Sequence, residues 1–138
     1  MKKSKKIVTK LVVAGMVISG MLSSCEKDAH TPPALVFKTG ASYTSADDTV
    51  AKNTSITVGI TADKTEDELK TYNISYAYDG AATSTSKENY TVSSKEEDHY
   101  TKDYTFTTRN QAGTEKWSFT MTDRDGNIAT KSITLIVQ

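Results

Sequence analysis

Residues 117–137 have the sequence WSFTMTDRDGNIATKSITLIV, and this stretch decides the fold class. Its first half alternates apolar and hydroxyl side chains, and its second half ends in the equally regular ITLIV. Alternation with a period of two, rich in aromatic and β-branched residues, is typical of strands with one buried face. Asp125-Gly126 lies between the halves, and its glycine supplies the positive φ that a tight turn needs. The stretch therefore predicts a β-hairpin.

The same alternation recurs upstream, for example in ITVGITA at 56–62 and YNISYAY at 72–78. A globular part of roughly 105 residues forms one domain. Short strands at this spacing predict an all-β fold, a two-sheet antiparallel sandwich over residues 34–138. We predict about seven strands, located at roughly 34–38, 54–62, 70–78, 89–93, 100–108, 115–123 and 128–137. The only helical signal, Lys64–Lys70, is too short for more than one turn.

The first 24 residues have the three parts of a bacterial export signal. A lysine-rich start precedes an apolar stretch from Ile7 to Leu22, which one lysine and two glycines interrupt. This stretch is too short for a transmembrane helix, which needs about 20 apolar residues, but it suits a signal-peptide core. It ends in Leu22-Ser23-Ser24-Cys25, which resembles the lipobox of bacterial lipoproteins.

That resemblance implies a diacylglyceryl group on Cys25, cleavage just before it, and acylation of the new amine by a fatty acid such as palmitate. Cys25 is the only cysteine, so lipidation also accounts for an unpaired thiol in an exported protein. Several acyl chains, at about 0.8 kcal/mol per buried CH₂, anchor a protein durably. We therefore predict a signal peptide at 1–24, a lipidated N-terminus and tether at 25–33, and a membrane partner held through lipid.

The charge of the mature chain argues against nucleic acid. Five lysines leave with the signal peptide, so 12 of the 17 basic side chains remain against 17 acidic ones, a formal charge of −5. Such a chain repels phosphate backbones, and we predict no nucleic-acid partner. Glu26-Lys27-Asp28 looks like the export signals of Bacteroidetes surface lipoproteins. The likeness implies the outer membrane and favours the cell surface, with the periplasmic face as the alternative.

The C-terminal sequence YTFTTRNQAGTEKWSFTMTDRDGNIATKSITLIV, residues 104–137, resembles the end of immunoglobulin-like domains in Bacteroidetes lipoproteins. In those domains a strand ending in a T-D-x-D-G-N turn leads into a final strand rich in threonine and aliphatic residues. The resemblance implies an immunoglobulin-like sandwich, but it specifies the fold and not an activity. Trp117 falls in the penultimate strand and no cysteines pair, so an antibody-type domain is excluded.

Two acidic groups are the candidate sites for chemistry. Asp123, Asp125 and Asn127 alternate as calcium ligands do, but the chain continues as a strand where an EF-hand loop would reach its glutamate. The run Glu96–Asp98 precedes His99 and can suggest metal or acid–base work, yet a polar run between strands predicts a solvated loop. No G-x-S-x-G elbow and no glycine-rich phosphate loop is present. We predict no enzyme activity, no metal and no cofactor.

The aromatic residues have two interpretations. Tyr72, Tyr76 and Tyr78 share the parity of Ile74, which predicts core positions with hydroxyls at the edge. Trp117 is in phase with the apolar residues of its strand and is also predicted to be core. The alternative is that the tyrosines form an exposed platform for a sugar ring.

Asp48-Thr49-Val50 matches the short pattern of O-glycosylation in Bacteroides-type bacteria, which implies Thr49 as an acceptor. Together these features predict a lipid-anchored outer-membrane protein that acts as a non-catalytic binding, adhesion or accessory display module. Its partner would be a protein or a glycan at the cell surface. The alternative is a glycan-binding module of a polysaccharide-utilisation system, and a small hydrolase built on His99 is the third hypothesis.

Overall fold

The structure is a computed structural model that describes residues 30–138, so Cys25 and the predicted signal peptide lie outside the described residues. The described residues form eight strands and no helix. The strands are β1 Ala34–Phe37, β2 Asp48–Val50, β3 Ser55–Asp63, β4 Leu69–Tyr78, β5 Thr85–Thr91, β6 His99–Thr107, β7 Gly113–Asp123 and β8 Ile128–Val137. In this part of the chain, no helix has the length and apolarity needed to span a membrane.

The strands form a three-stranded sheet in the order β1-β3-β6 and a five-stranded sheet in the order β2-β8-β7-β4-β5. β2 runs parallel to β8, and every other pair is antiparallel. The prediction of seven strands, all antiparallel, is therefore wrong at β2. This short strand has one apolar residue. A hydrogen bond attaches its start to β8, where the Thr134 N–H donates to Asp47 Oδ1 at 2.7 Å. The weak helical signal at Lys64–Lys70 corresponds to no helix, because residues 64–68 form a loop and β4 already begins at Leu69.

The hairpin predicted from residues 117–137 is confirmed as β7 and β8. Gly126 lies in its turn with a φ of 91°. The Asp123 N–H donates to the Asn127 carbonyl at 3.1 Å. In return, the buried Asp123 carboxylate accepts hydrogen bonds from the backbone and side-chain nitrogens of Asn127, at 2.8 and 3.0 Å. The turn is thus closed by two of the residues that resembled calcium ligands.

The inner faces of the two sheets enclose one hydrophobic core. Ile60, Ile74, Phe119 and Leu135 lie at alternating positions of their strands and have no exposed surface. Phe37 and Phe119 belong to different sheets and meet edge to face, with ring centroids 5.7 Å apart. Each such side chain contributes about 1.5–3 kcal/mol when fully buried. The all-β, sandwich-like arrangement is therefore confirmed.

The tether docks at one end of the domain. The Thr31 N–H donates to Glu66 Oε2 at 3.3 Å, and the Thr65 hydroxyl donates to two carbonyl oxygens of the tether. We call this end, at loop 64–68 between β3 and β4, the tether pole. β4 runs from it for ten residues, a length of about 30 Å. It ends at Tyr78, at what we call the distal pole.

Candidate functional site

An open cleft of about 380 Å³ lies at the distal pole, between β6 of one sheet and β4, β5 and β7 of the other. Its volume is within the range of about 300–1,000 Å³ that is typical of small-molecule sites. Five aromatic rings, two threonines and two charged side chains line it. They are Tyr76, Tyr78, Lys87, Glu88, Tyr104, Thr105, Phe106, Thr107 and Trp117.

The rings form a continuous array across the cleft. The Tyr76 centroid is 4.7 Å from that of Tyr78 and 5.3 Å from that of Trp117, which in turn stacks on Phe106 at 3.8 Å. Trp117 and Phe106 are buried, and Tyr72, deeper along β4, has no exposed surface. The core prediction is confirmed for Trp117 and Tyr72. It is confirmed in part for Tyr76, a half-buried ring that packs against the core, and it is wrong for Tyr78, which is half-buried and not part of the core cluster.

A hydrogen-bonded network fixes this array from behind. The Trp117 Nε1–H donates to Glu115 Oε2 at 3.1 Å, and the Arg109 backbone N–H donates to Glu115 Oε1 at 2.7 Å. The Arg109 guanidinium donates to both oxygens of Asp79, at 2.9 and 3.0 Å, and lies 4.1 Å from the centroid of Tyr78. Although Glu115 has no exposed surface, its carboxylate is satisfied. Two rings of the cleft are thereby held in one orientation.

The hydrogen bonds between Arg109 and Asp79 favour the charged form of both side chains. Hydrogen bonds from Arg109 hold the pKa of Asp79 below its ordinary value, and the Thr114 N–H adds to this effect. The same hydrogen bonds raise the pKa of Arg109. Burial raises the pKa of Tyr78. Gly113, the residue before Thr114, has a φ of 151°. The Asp79 carboxylate occupies the space that a Cβ at position 113 would need.

The opposite wall of the cleft is shaped by a β-bulge in β5. Ile74 pairs with Glu88 and the next residue, Ser75, pairs with Ser86, so Lys87 has no partner in the register. A regular strand points adjacent side chains to opposite faces, whereas Lys87 and Glu88 both line the cleft. Within the described chain, neither side chain forms a hydrogen bond or an ion pair, even with its neighbour. Both groups are open to the cleft.

The run 96–99 lies at the tether pole, away from the cleft. Asp98 forms an ion pair with Lys64, and His99 Nδ1 is 2.6 Å from Asp63 Oδ1 on the exposed edge of the sheet. Glu97 also forms an ion pair, with Arg124, and Glu96 accepts a hydrogen bond from the Ser93 hydroxyl, so the three acids have separate partners. Residues 30–138 contain no group of three or more His, Cys, Asp or Glu side chains that could hold a metal ion. His99 is not among the residues that line the cleft.

The other predicted residues also lie apart from the cleft. Asp123 and Asn127 bond to each other and Asp125 is exposed in the turn, so the hairpin accounts for all three. Thr49 is exposed on β2, beside a shallow depression of about 220 Å³. Its glycosylation stays a prediction, as does the lipidation of Cys25, which falls outside the described residues.

Lys87, Glu88, Arg109 and Glu115 were not predicted from the sequence. A signal for Glu115 was present, because it shares the parity of Trp117 on β7 and so falls on the buried face. No protein-family profile and no curated protein matches this chain. The geometry of the cleft is therefore the basis for assigning a function.

Proposed function

We propose that this chain is a lipid-anchored outer-membrane lipoprotein with an immunoglobulin-like sandwich, and that it acts as a non-catalytic binding and display module. The aromatic cleft is its binding site. The observation that carries this proposal is the position of the cleft at the pole opposite to the tether. An anchor at one end and a site at the other suit a protein that presents its site away from a membrane.

The reach of the chain supports this orientation. Cys25 precedes His30 by five residues, which span at most about 18 Å. Lipid on Cys25 would keep the tether pole within about 18 Å of the bilayer surface. The Thr31 N–H donates to Glu66 and the Thr65 hydroxyl donates to the Thr31 carbonyl, and these bonds set which end of the domain lies nearest to the anchor. Tyr76 follows Leu69 by seven residues along β4, so the cleft lies about 23 Å farther out.

The strand order supports an immunoglobulin-like type. In that fold, strands A, B and E share one sheet, while C, F and G share the other. The order β1-β3-β6 corresponds to A-B-E, and β8-β7-β4 corresponds to G-F-C. β2 and β5 would then be additional edge strands beside G and C. The finer fold type rests on this correspondence and on the sequence resemblance.

The chemistry of the cleft supports binding over catalysis. Glu88 is the single carboxylate among the lining residues, whereas glycoside hydrolysis generally uses a pair. The lining residues include no serine, cysteine or histidine to act as nucleophile or base. Aromatic walls with a few polar groups are typical of ligand sites. We therefore propose recognition without turnover.

The anchor is tested by metabolic labelling with radioactive palmitate in a bacterium that processes lipoproteins. The natural chain should incorporate label and fractionate with the outer membrane. The Cys25→Ser variant should do neither, because an alcohol cannot take the thioether lipid. The Ser24→Ala variant is the control, since it keeps a small residue before the cysteine and should be labelled normally. Label in Cys25→Ser would contradict the anchor.

The orientation is tested with introduced thiols. A lipidated Cys25 carries no free thiol, so Thr107→Cys at the distal pole and Ser94→Cys, beside the run 96–99 at the tether pole, each supply a single reactive group. Both positions are exposed. A bulky, membrane-impermeant maleimide on intact cells should label Thr107→Cys several-fold faster. Equal or reversed rates would contradict the display geometry, and labelling of both only after the outer membrane is opened would place the protein on the periplasmic face.

A further inference from the structure

We propose that the cleft binds a neutral sugar ring, a pyranose unit of a glycan. The ring would stack on Tyr76 and Tyr78, while its hydroxyl groups hydrogen-bond to Lys87 and Glu88. This inference rests on the proposed function and names the ligand class of the same cleft.

The bulge at Lys87 is the first reason. Bulges on edge strands cost ladder hydrogen bonds, and they re-aim side chains next to functional sites. In a regular β5, Lys87 would point away from Glu88 and out of the cleft. The bulge instead brings an ammonium and a carboxylate to the same wall. Sequence alternation alone would not have placed both groups there.

The free hydrogen-bonding capacity of this pair is the second reason. A lysine ammonium offers three donors, and a carboxylate offers two acceptor oxygens. Adjacent hydroxyls of a pyranose each donate and accept, so they can use both groups at once. The charges of Lys87 and Glu88 cancel, while the nearby Arg109 is paired with both Asp79 and Glu115, so the five groups together carry a formal charge of −1. The cleft therefore favours a neutral polar ligand over an anionic one.

The two tyrosines are the third reason. Tyr76 and Tyr78 lie side by side on β4 and are half-buried. They thus offer apolar ring surface next to polar groups. The C–H face of a pyranose is apolar and its rim is hydroxylated, which matches this division. Arg109 packs on Tyr78, and Glu115 holds the Trp117 beneath Tyr76. Because the rings are already ordered, ligand binding loses little side-chain entropy.

The alternative ligand is an extended peptide that adds as a strand to the free edge of β6, and the position of Lys102 argues against it. Its ammonium lies 4.5 Å from the centroid of the Tyr90 ring, across the gap between the sheets. Inward-pointing charges on edge strands are a known means of blocking strand addition. An added strand would have to displace this contact, whereas a sugar at the distal pole would leave it intact.

The test is calorimetric titration of the full chain, purified in a detergent without a sugar headgroup. The probes are neutral hexasaccharides of glucose, xylose, mannose and galactose, an acidic oligogalacturonide and a proline-rich peptide. At least one neutral oligosaccharide should bind with a Kd between about 10 μM and 1 mM. Tyr76→Ala should weaken that binding by about tenfold or more. Lys87→Ala and Glu88→Gln, at surface positions that leave the core intact, should each weaken it several-fold.

Tyr43→Ala is the matched control, because Tyr43 packs over Gly59 outside the cleft and should leave affinity unchanged. Failure of every neutral oligosaccharide to bind at about 5 mM overturns the sugar proposal. So does preference for the acidic probe. Binding of the peptide instead, lost in Tyr76→Ala, overturns the sugar but keeps the cleft as a binding site. Sugar binding that is unaffected by Tyr76→Ala, Lys87→Ala and Glu88→Gln overturns the cleft itself, and with it the proposed function.

Discussion

Replacing Tyr72 by phenylalanine should make the protein more stable. Tyr72 has no exposed surface, and its hydroxyl has no hydrogen-bond partner among the described residues. Its ring packs against Tyr90 and Tyr100, at centroid distances of 6.0 and 5.5 Å. Phenylalanine keeps these ring contacts and removes the buried oxygen alone. A buried polar group without a partner costs about 1–3 kcal/mol, so Tyr72→Phe should raise the free energy of unfolding by about that amount.

The measurement is urea denaturation followed by the fluorescence of Trp117, the single tryptophan. Tyr43→Phe is the control, because the Tyr43 hydroxyl donates to Asp103 Oδ2 at 3.1 Å. Removing that exposed donor should lower stability by about 1 kcal/mol or less. If Tyr72→Phe lowers stability instead, the hydroxyl has a partner, such as a buried water, and the reasoning fails.

The same variant should change the alkaline limb of the stability curve. Burial raises the pKa of Tyr72 well above its ordinary value of 10.0. Above pH 10 the unfolded chain therefore loses the proton that the native chain keeps, and stability falls as pH rises. Other buried tyrosines share this behaviour, so Tyr72→Phe should make the fall shallower without removing it. A curve parallel to that of the natural chain would show that Tyr72 does not contribute.

Two further predictions concern the network behind the cleft. Glu115→Ala should lower the free energy of unfolding by about 3–5 kcal/mol, because it leaves buried donors of Arg109 and Trp117 unpaired. Glu115→Gln, which keeps an acceptor, should cost clearly less in the same urea titration, and equal losses would contradict the role of the hydrogen bonds. Asp79 has a lowered pKa in the native chain, so its contribution is present above its ordinary value of 3.8 and is lost as pH falls through the lower native value. Asp79→Asn should therefore flatten the acid limb of the stability curve in acid titration, and an unchanged slope would show that the Arg109 contact is not maintained in solution.

The sequence predicted the strands whose buried face is continuous. β3 and β7 alternate over nine or more residues, and β8 alternates over its last five, Ile133–Val137. The positions of all three strands agree with the prediction to within about two residues. β2 and the first half of β5 could not be found in this way. β2 has three residues, and residues 85–88 of β5 are all polar because the strand lies at a sheet edge. An edge strand with little buried surface leaves no periodic pattern to detect.

Parity predicted which face a side chain occupies, but not how deeply it is covered. Tyr72, Tyr76 and Tyr78 do share one face of β4, yet only Tyr72 is fully buried. The difference depends on what lies opposite each ring, which is a property of the other sheet. The bulge at Lys87 is equally invisible, because it depends on the register between β4 and β5. The shared face of the tyrosines could therefore be predicted from the sequence. The positions of Lys87 and Glu88 could not, because they depend on how β5 pairs with β4.

The unequal sheets explain why a cleft exists at all. Three strands cannot cover five, and the three-stranded sheet ends at β6 while the other continues through β4 to β5. Near the tether pole, the long side chains of Tyr100 and Lys102 span the gap and contact Tyr72 and Tyr90. Toward the distal pole, the inward positions of β6 carry Tyr104 and Phe106, whose rings pack on Trp117 of β7, and the gap toward β5 stays open. Because the cleft is a gap that the smaller sheet leaves open, the protein loses little stability when no ligand is bound. Under the proposed function, a ligand would cover this gap without rearranging the core.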